Sequence, residues 1–122
     1  MNTDRVATIA ALAVLCTVLA ALTVIAAHPD FRTATGDSME PTMNAPIVAH
    51  CTDVHPDDIA VDDIVSVNID GEDIMHRVKT LNGDRLQTAG DGRESSDKWS
   101  HVDDVNCRVD AWWSLDPTEY ID

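Results

Sequence analysis

The stretch that decides the fold is IVSVNIDGEDIMHRVKTLNGDRLQTA, Ile64 to Ala89. Ile64-Val65-Ser66-Val67-Asn68-Ile69 alternates and is rich in β-branched residues, the pattern of a strand. It runs into Asp70-Gly71, a pair that tolerates positive φ and so signals a tight hairpin. Ile74 to Leu81 reads as the returning strand, ended by Asn82-Gly83-Asp84, and Arg85 to Ala89 as a third. Further out, Val105, Cys107, Val109, Ala111 and Trp113 recur at every second position, which predicts one face of another strand. Ile47 to Ala49 reads as a further short strand. After residue 28 there is no amphipathic helical pattern and no internal repeat. The expectation is a small, mainly β domain.

Upstream lies VATIAALAVLCTVLAALTVIAA, Val6 to Ala27, 22 residues without a charge, Gly or Pro. As a helix rising about 1.5 Å per residue it spans roughly 33 Å, enough for a hydrocarbon core of about 30 Å. The apolar stretch of a secretory signal peptide is usually about 7–15 residues. Ile25-Ala26-Ala27 is also a poor small-x-small cleavage site, so the segment reads as a retained anchor. The expected organisation is an N-terminal tail at 1–5, a transmembrane helix at 6–27, a linker at 28–34 and the β domain at 35–122. Flanking charge does not orient the helix, since Arg5 sits beside Asp4 and Arg32 near Asp30.

The chain has 122 residues with 22 acids against 8 Lys and Arg, a formal charge of −14. The whole of that excess follows Ala27, where 21 acids face 7 bases. A phosphate-binding surface needs concentrated Lys and Arg, so nucleic acid is excluded as the main partner. An electrostatic grip on anionic lipid is disfavoured for the same reason. Of the acids 18 are Asp, and the only lysines are Lys79 and Lys98. In molar salt the Debye length falls to about 3 Å and screens most of this repulsion. The acid-rich, Lys-poor composition therefore reads as adaptation to high salt. No D-x-[DN]-x-[DN]-G calcium loop is present. His50, Cys51, His55 and Cys107 fit no trusted zinc spacing, so neither a metal nor another cofactor is expected. Cys51 and Cys107 suit a disulfide if this part of the chain is extracellular, or otherwise two small buried hydrophobes. Trp112-Trp113 suits either the headgroup level of a membrane or a pair with Trp113 in the core and Trp112 outside.

Chemistry concentrates in three ordered boxes. The first is Gly36-Asp37-Ser38-Met39-Glu40-Pro41-Thr42-Met43, with a Ser beside a Gly turn and a Pro-fixed bend. It closely resembles the nucleophile box of the signal peptidase I family and of the related LexA-type self-cleaving repressors. The second contains Asp62-Asp63-Ile64-Val65, similar to that family's Gly-Asp-Ile-Val strand with Asp62 in place of Gly. It continues to Ile74-Met75-His76-Arg77-Val78, which matches the box of the general base. Bacterial signal peptidases and LexA-type proteins carry Lys there, whereas the archaeal and endoplasmic-reticulum type carries His, as His76 does here. The third, Ala89-Gly90-Asp91-Gly92-Arg93-Glu94-Ser95-Ser96-Asp97, is similar to the Lys-Gly-Asp-Asn-Asn-x-x-x-Asp box of that type. Ala89 replaces its Lys and Gly92-Arg93 its Asn pair.

The resemblance covers about half the chain and implies a signal-peptidase-like or LexA-like β domain on a single N-terminal transmembrane helix. It implies a serine endopeptidase of the cell membrane, its catalytic domain outside, that removes signal peptides from exported precursors, with the bilayer and the protein-export machinery as partners. Carried over by position, Ser38 is the nucleophile, His76 the general base, Asp97 the carboxylate that orients it, and Asp91 a residue that braces or shares the site. A hydroxyl is a poor nucleophile at neutral pH and needs a base such as imidazole. The Ser38 backbone N–H is the expected oxyanion donor, because Gly36 offers no side-chain hydroxyl where the bacterial branch has Ser. Lys79, three residues beyond His76, is expected on the opposite face of its strand and not as a rival base. Ser38 follows the apolar run by 11 residues, at most about 36–40 Å of extended chain, so an anchored nucleophile stays near the bilayer surface. Two other readings are a LexA-type self-cleaving regulator and a catalytically silent anchored scaffold, the latter because only 25 residues follow Asp97.

Overall fold

The apolar N-terminal run forms helix α1, Thr3–Ala27. It starts three residues before the uncharged stretch because Asn2 caps it. The Asn2 Oδ1 accepts the Asp4 N–H at 2.9 Å, and its carbonyl accepts the N–H groups of Arg5 and Val6 at 3.1 and 3.2 Å, the bonding expected of an N-cap residue. The hydroxyls of Thr8, Thr17 and Thr23 donate to the carbonyls four residues back at 2.8–2.9 Å, which satisfies them within the helix. Its Thr3–Val24 portion has a mean hydropathy of 2.4 and is long and apolar enough to cross a membrane.

This is a computed structural model; it describes residues 2–28 and 30–120, without the side chains of 25, 26, 119 and 120. The chain divides into two compact units, Met1–Phe31 and Arg32–Asp122. The sheet, which apart from Phe31 falls in the second unit, is built from β1 (Phe31–Ala34), β2 (Ile47–Thr52), β3 (Ile64–Ile69), β4 (Glu72–Asn82), β5 (Arg85–Ala89), β6 (Ser100–His101) and β7 (Val105–Ser114). The strand order is β1-β2-β7-β3-β4-β5-β6, with antiparallel pairing from β2 through to β6. Helical structure after α1 is confined, among the described residues, to 3₁₀ turns at Pro56–Asp58, Val102–Asp104 and Pro117–Tyr120.

The central meander follows local chemistry. β3 pairs with β4 from Ile64↔Arg77 to Ile69↔Glu72. The turn between them holds Asp70 at φ 56° and Gly71 at φ 86°, the double left-handed pair of a type I′ hairpin. β3 is buried on both faces: Ile64 belongs to a cluster with Met39, Met43, Ala49 and Val109. Its neighbour Val65 belongs to another with Ile59, Val67, Val78 and Leu86. Ser66 between them is only 3% exposed.

Three expectations change. The segment 28–34, read as linker, contains strand β1; four residues of mixed polarity carry too little pattern to mark a strand. The five-residue stripe in β7 does not hold, because the register slips twice, between His50 and Cys51 on β2 and between Ser66 and Val67 on β3. Each slip inserts one residue and reverses the alternation beyond it. Cys107 and Val109 thus join the first cluster, whereas Val105 packs on the second. The same slips put Trp112 opposite Ala49 and Trp113 opposite Val48, so Trp113, 50% exposed, is not the core member of the pair. Cys51 and Cys107 form a disulfide that ties β2 to β7 inside the first cluster, so neither thiol is free to bind a metal.

Candidate active site

The box holding Ser38 is the loop between β1 and β2. Met39 and Met43 are 3% and 0% exposed, and the Met43 N–H bonds to the Met39 carbonyl at 2.9 Å. The two methionines pin this single turn to the first core cluster, where flexible thioether side chains fill space well. Ser38 precedes the first of them and stays half-buried.

His76 lies in the middle of β4, opposite Val65 of β3, and is 8% exposed. Its Nε2 is 3.1 Å from Ser38 Oγ, and its Nδ1 is 2.6 Å from Asp97 Oδ2. The carboxylate can only accept, so Nδ1–H donates to it and Nε2 is left to accept a hydrogen bond from the serine hydroxyl. The structure therefore brings together Ser38, His76 and Asp97 in one continuous chain of hydrogen bonds.

Asp91 goes elsewhere. Its carboxylate takes a two-point hydrogen bond from Arg77, Nε to Oδ1 at 2.8 Å and Nη2 to Oδ2 at 2.7 Å. Thr42 Oγ1 donates to the same Oδ2 at 2.6 Å. Arg77 above all holds the Asp91 carboxyl down to about 2, against partial burial and with help from Thr42 and Lys79. The guanidinium of Arg77 is raised in turn. Asp91 therefore braces the serine loop against β4 and makes no hydrogen bond with His76 among the described residues. Arg77 also donates to the Asp62 carbonyl at 2.8 Å.

Two further ties close the same seam. The Gly92 N–H donates to the Ser38 carbonyl at 2.8 Å, and Arg93 donates to Asp37 at 2.6 Å, which lowers the Asp37 carboxyl. The approach is close: a Cβ on Gly90 would lie 2.4 Å from the Ser38 carbonyl oxygen, and one on Gly92 2.7 Å from that of Glu40. The Gly at 92, where the resemblance has Asn, is what this spacing permits. The Ser38 N–H makes no hydrogen bond among the described residues. Lys79 sits at the β4 bulge, where the pairing with β5 slips between Val78 and Thr80; it is exposed, and its charge acts on Asp91.

Ser38, His76, Asp91 and Asp97 all lie in this seam, joined by Thr42, Arg77, Thr88 and the backbone of Gly92, which are not legible as site residues in the sequence. No local signal marks them, because each acts across 9 to 54 residues of chain. Compared with known proteins, the chain matches no protein-family model, no curated protein and no solved structure.

Proposed function

We propose that this chain is a membrane-anchored serine endopeptidase of the signal peptidase type, acting on signal-peptide-bearing precursors. The observation that carries the reading is the hydrogen-bonded run Ser38–His76–Asp97. The helix of membrane-spanning length and the three sequence boxes support it.

In this mechanism Ser38 Oγ attacks the scissile carbonyl while His76 Nε2 takes its proton. Asp97 keeps the imidazole in the required tautomer and stabilises the imidazolium. The Ser38 N–H donates to the oxyanion. His76 then gives its proton to the departing amine, leaving an acyl-enzyme. Water, deprotonated by His76, adds to that ester, and Ser38 recovers its proton as the acid product leaves. No metal or cofactor is required by these steps.

The test is cleavage of a signal-peptide-bearing precursor in high-salt membranes by wild type, Ser38→Ala and His76→Ala. Wild type cleaves, and each variant loses roughly 10⁴–10⁶-fold in rate, as when a nucleophile or its base is removed. His76→Lys does not restore full activity, because an ammonium cannot donate to Asp97 and accept from Ser38 in the same geometry. Wild-type rates in His76→Ala would overturn the mechanism. No cleavage by folded, inserted wild type would favour the scaffold reading.

A further inference from the structure

Asp97 lies nine residues beyond Thr88 in the chain, yet it is stitched back onto β5 at three points. Its backbone N–H donates to the Thr88 carbonyl at 2.8 Å. Gln87 Nε2 donates to the Asp97 carbonyl at 3.0 Å. The third point is different in kind, because it holds the side chain: Thr88 Oγ1 donates to Asp97 Oδ2 at 2.7 Å. This is the same oxygen that accepts from His76 Nδ1 at 2.6 Å.

Thr88 is 1% exposed and pairs with Val78, two residues along β4 from His76 and therefore on the same face of that strand. Its hydroxyl is thus delivered to the carboxylate from the layer that carries the base. The two main-chain ties locate the Asp97 backbone but leave the carboxylate free to rotate. At 23% side-chain exposure, water competes for its oxygens. The Thr88 hydroxyl is the described protein contact, other than His76 itself, that fixes which way Oδ2 points.

We propose that Thr88 is a positioning residue: its hydroxyl aims Asp97 at His76 and so keeps the Nε2 lone pair on Ser38. The inference about catalysis rests on the peptidase reading, whereas the inference about the imidazole does not. With the hydroxyl gone, Asp97 turns toward water and the neutral ring is no longer held with its proton on Nδ1. A packing role would make the opposite demand, because Val keeps the shape of Thr and Ser does not.

The experiment uses the full chain at high salt in detergent micelles, as wild type, Thr88→Val and Thr88→Ser. Two quantities are read: kcat and KM for precursor cleavage, and the tautomer of neutral His76 from its ring ¹⁵N shifts, assigned by their loss in His76→Gln. Thr88→Val lowers kcat by about 10- to 100-fold, the size of one hydrogen bond to a charged group, and leaves KM within about twofold. It also shifts His76 toward the Nε2–H form. Thr88→Ser keeps both quantities near wild type. If Thr88→Val keeps the wild-type kcat and tautomer, or if Ser is the more damaging change, the proposal is wrong. If wild type cleaves nothing, the tautomer series still decides the role of Thr88, and the failure falls on the peptidase reading alone.

Discussion

Gly90 is where Ser38, the proposed nucleophile, and its clamp come closest. A methyl group there would also meet Ser38 Cβ at 2.9 Å, and both neighbours are held by the main chain. Gly90→Ala is expected to cost about 1–3 kcal/mol, as overpacking does, and to abolish cleavage by displacing Ser38. Denaturant unfolding and precursor cleavage measure the two effects. Gly36→Ala is the control, since a Cβ at that position meets nothing within 4 Å; its stability stays within about 0.5 kcal/mol of wild type. Asp91 makes a pH-dependent contribution. Its carboxyl is lowered from 3.8 to about 2 in the folded protein and its side chain is 12% exposed. A depressed carboxyl stabilises the fold above its unfolded value, and that stabilisation is lost as pH falls through the folded one. Asp91→Asn should therefore be about 2 kcal/mol less stable than wild type at neutral pH, with the gap closing between about pH 4 and 2. A gap independent of pH would remove the ion pair as its cause.

At the scale of elements, turns were legible and bulges were not. Asp70-Gly71 announces its hairpin because the left-handed conformation of both residues is a property of those residues themselves. Asp62 shows the same rule from the other side. It is the third residue of the turn Ala60–Asp63, closed by the Asp63 N–H on the Ala60 carbonyl at 3.1 Å, and it holds φ at 79°. A side chain in the left-handed region costs roughly 1–2 kcal/mol, against a chain-entropy cost for Gly of about 0.5–1 kcal/mol. Asp62→Gly is thus expected to raise stability by about 0.5–1 kcal/mol in denaturant unfolding. The slips along β7 and the bulge at Lys79 have no comparable sequence mark, because a bulge depends on both partner strands. The disulfide likewise needed β2 and β7 to be neighbours. It closes a loop of 56 residues, so replacing both cysteines by Ala should cost up to about 4 kcal/mol on the chain-entropy account.

At the scale of the whole molecule, charge dominates. Arg32, Arg77, Arg93, Lys98 and Arg108 each sit against an aspartate. Most of the few bases are therefore already committed, and the excess of acids is left to the surface, where exposed pairs contribute little. The proposed adaptation to molar salt predicts loss of β structure by circular dichroism on transfer to ~10 mM salt, where the repulsion is unscreened. A spectrum unchanged across that range would sink the proposal.

The sequence by itself determined the apolar helix, the Ile64–Ala89 meander, the acid excess and the residue types of the three boxes. These are properties of composition, period and turn chemistry, which act over a few neighbouring residues. The tertiary structure alone decided that Asp91, which the resemblance left to brace or to share the site, pairs with Arg77 and Thr42, that Thr88 holds Asp97, and that β3 is buried on both faces. It also decided which edge strand the segment before Ser38 supplies. Each of these depends on strands brought together from distant parts of the chain, where register, bulges and the room left by a missing Cβ select the contacts.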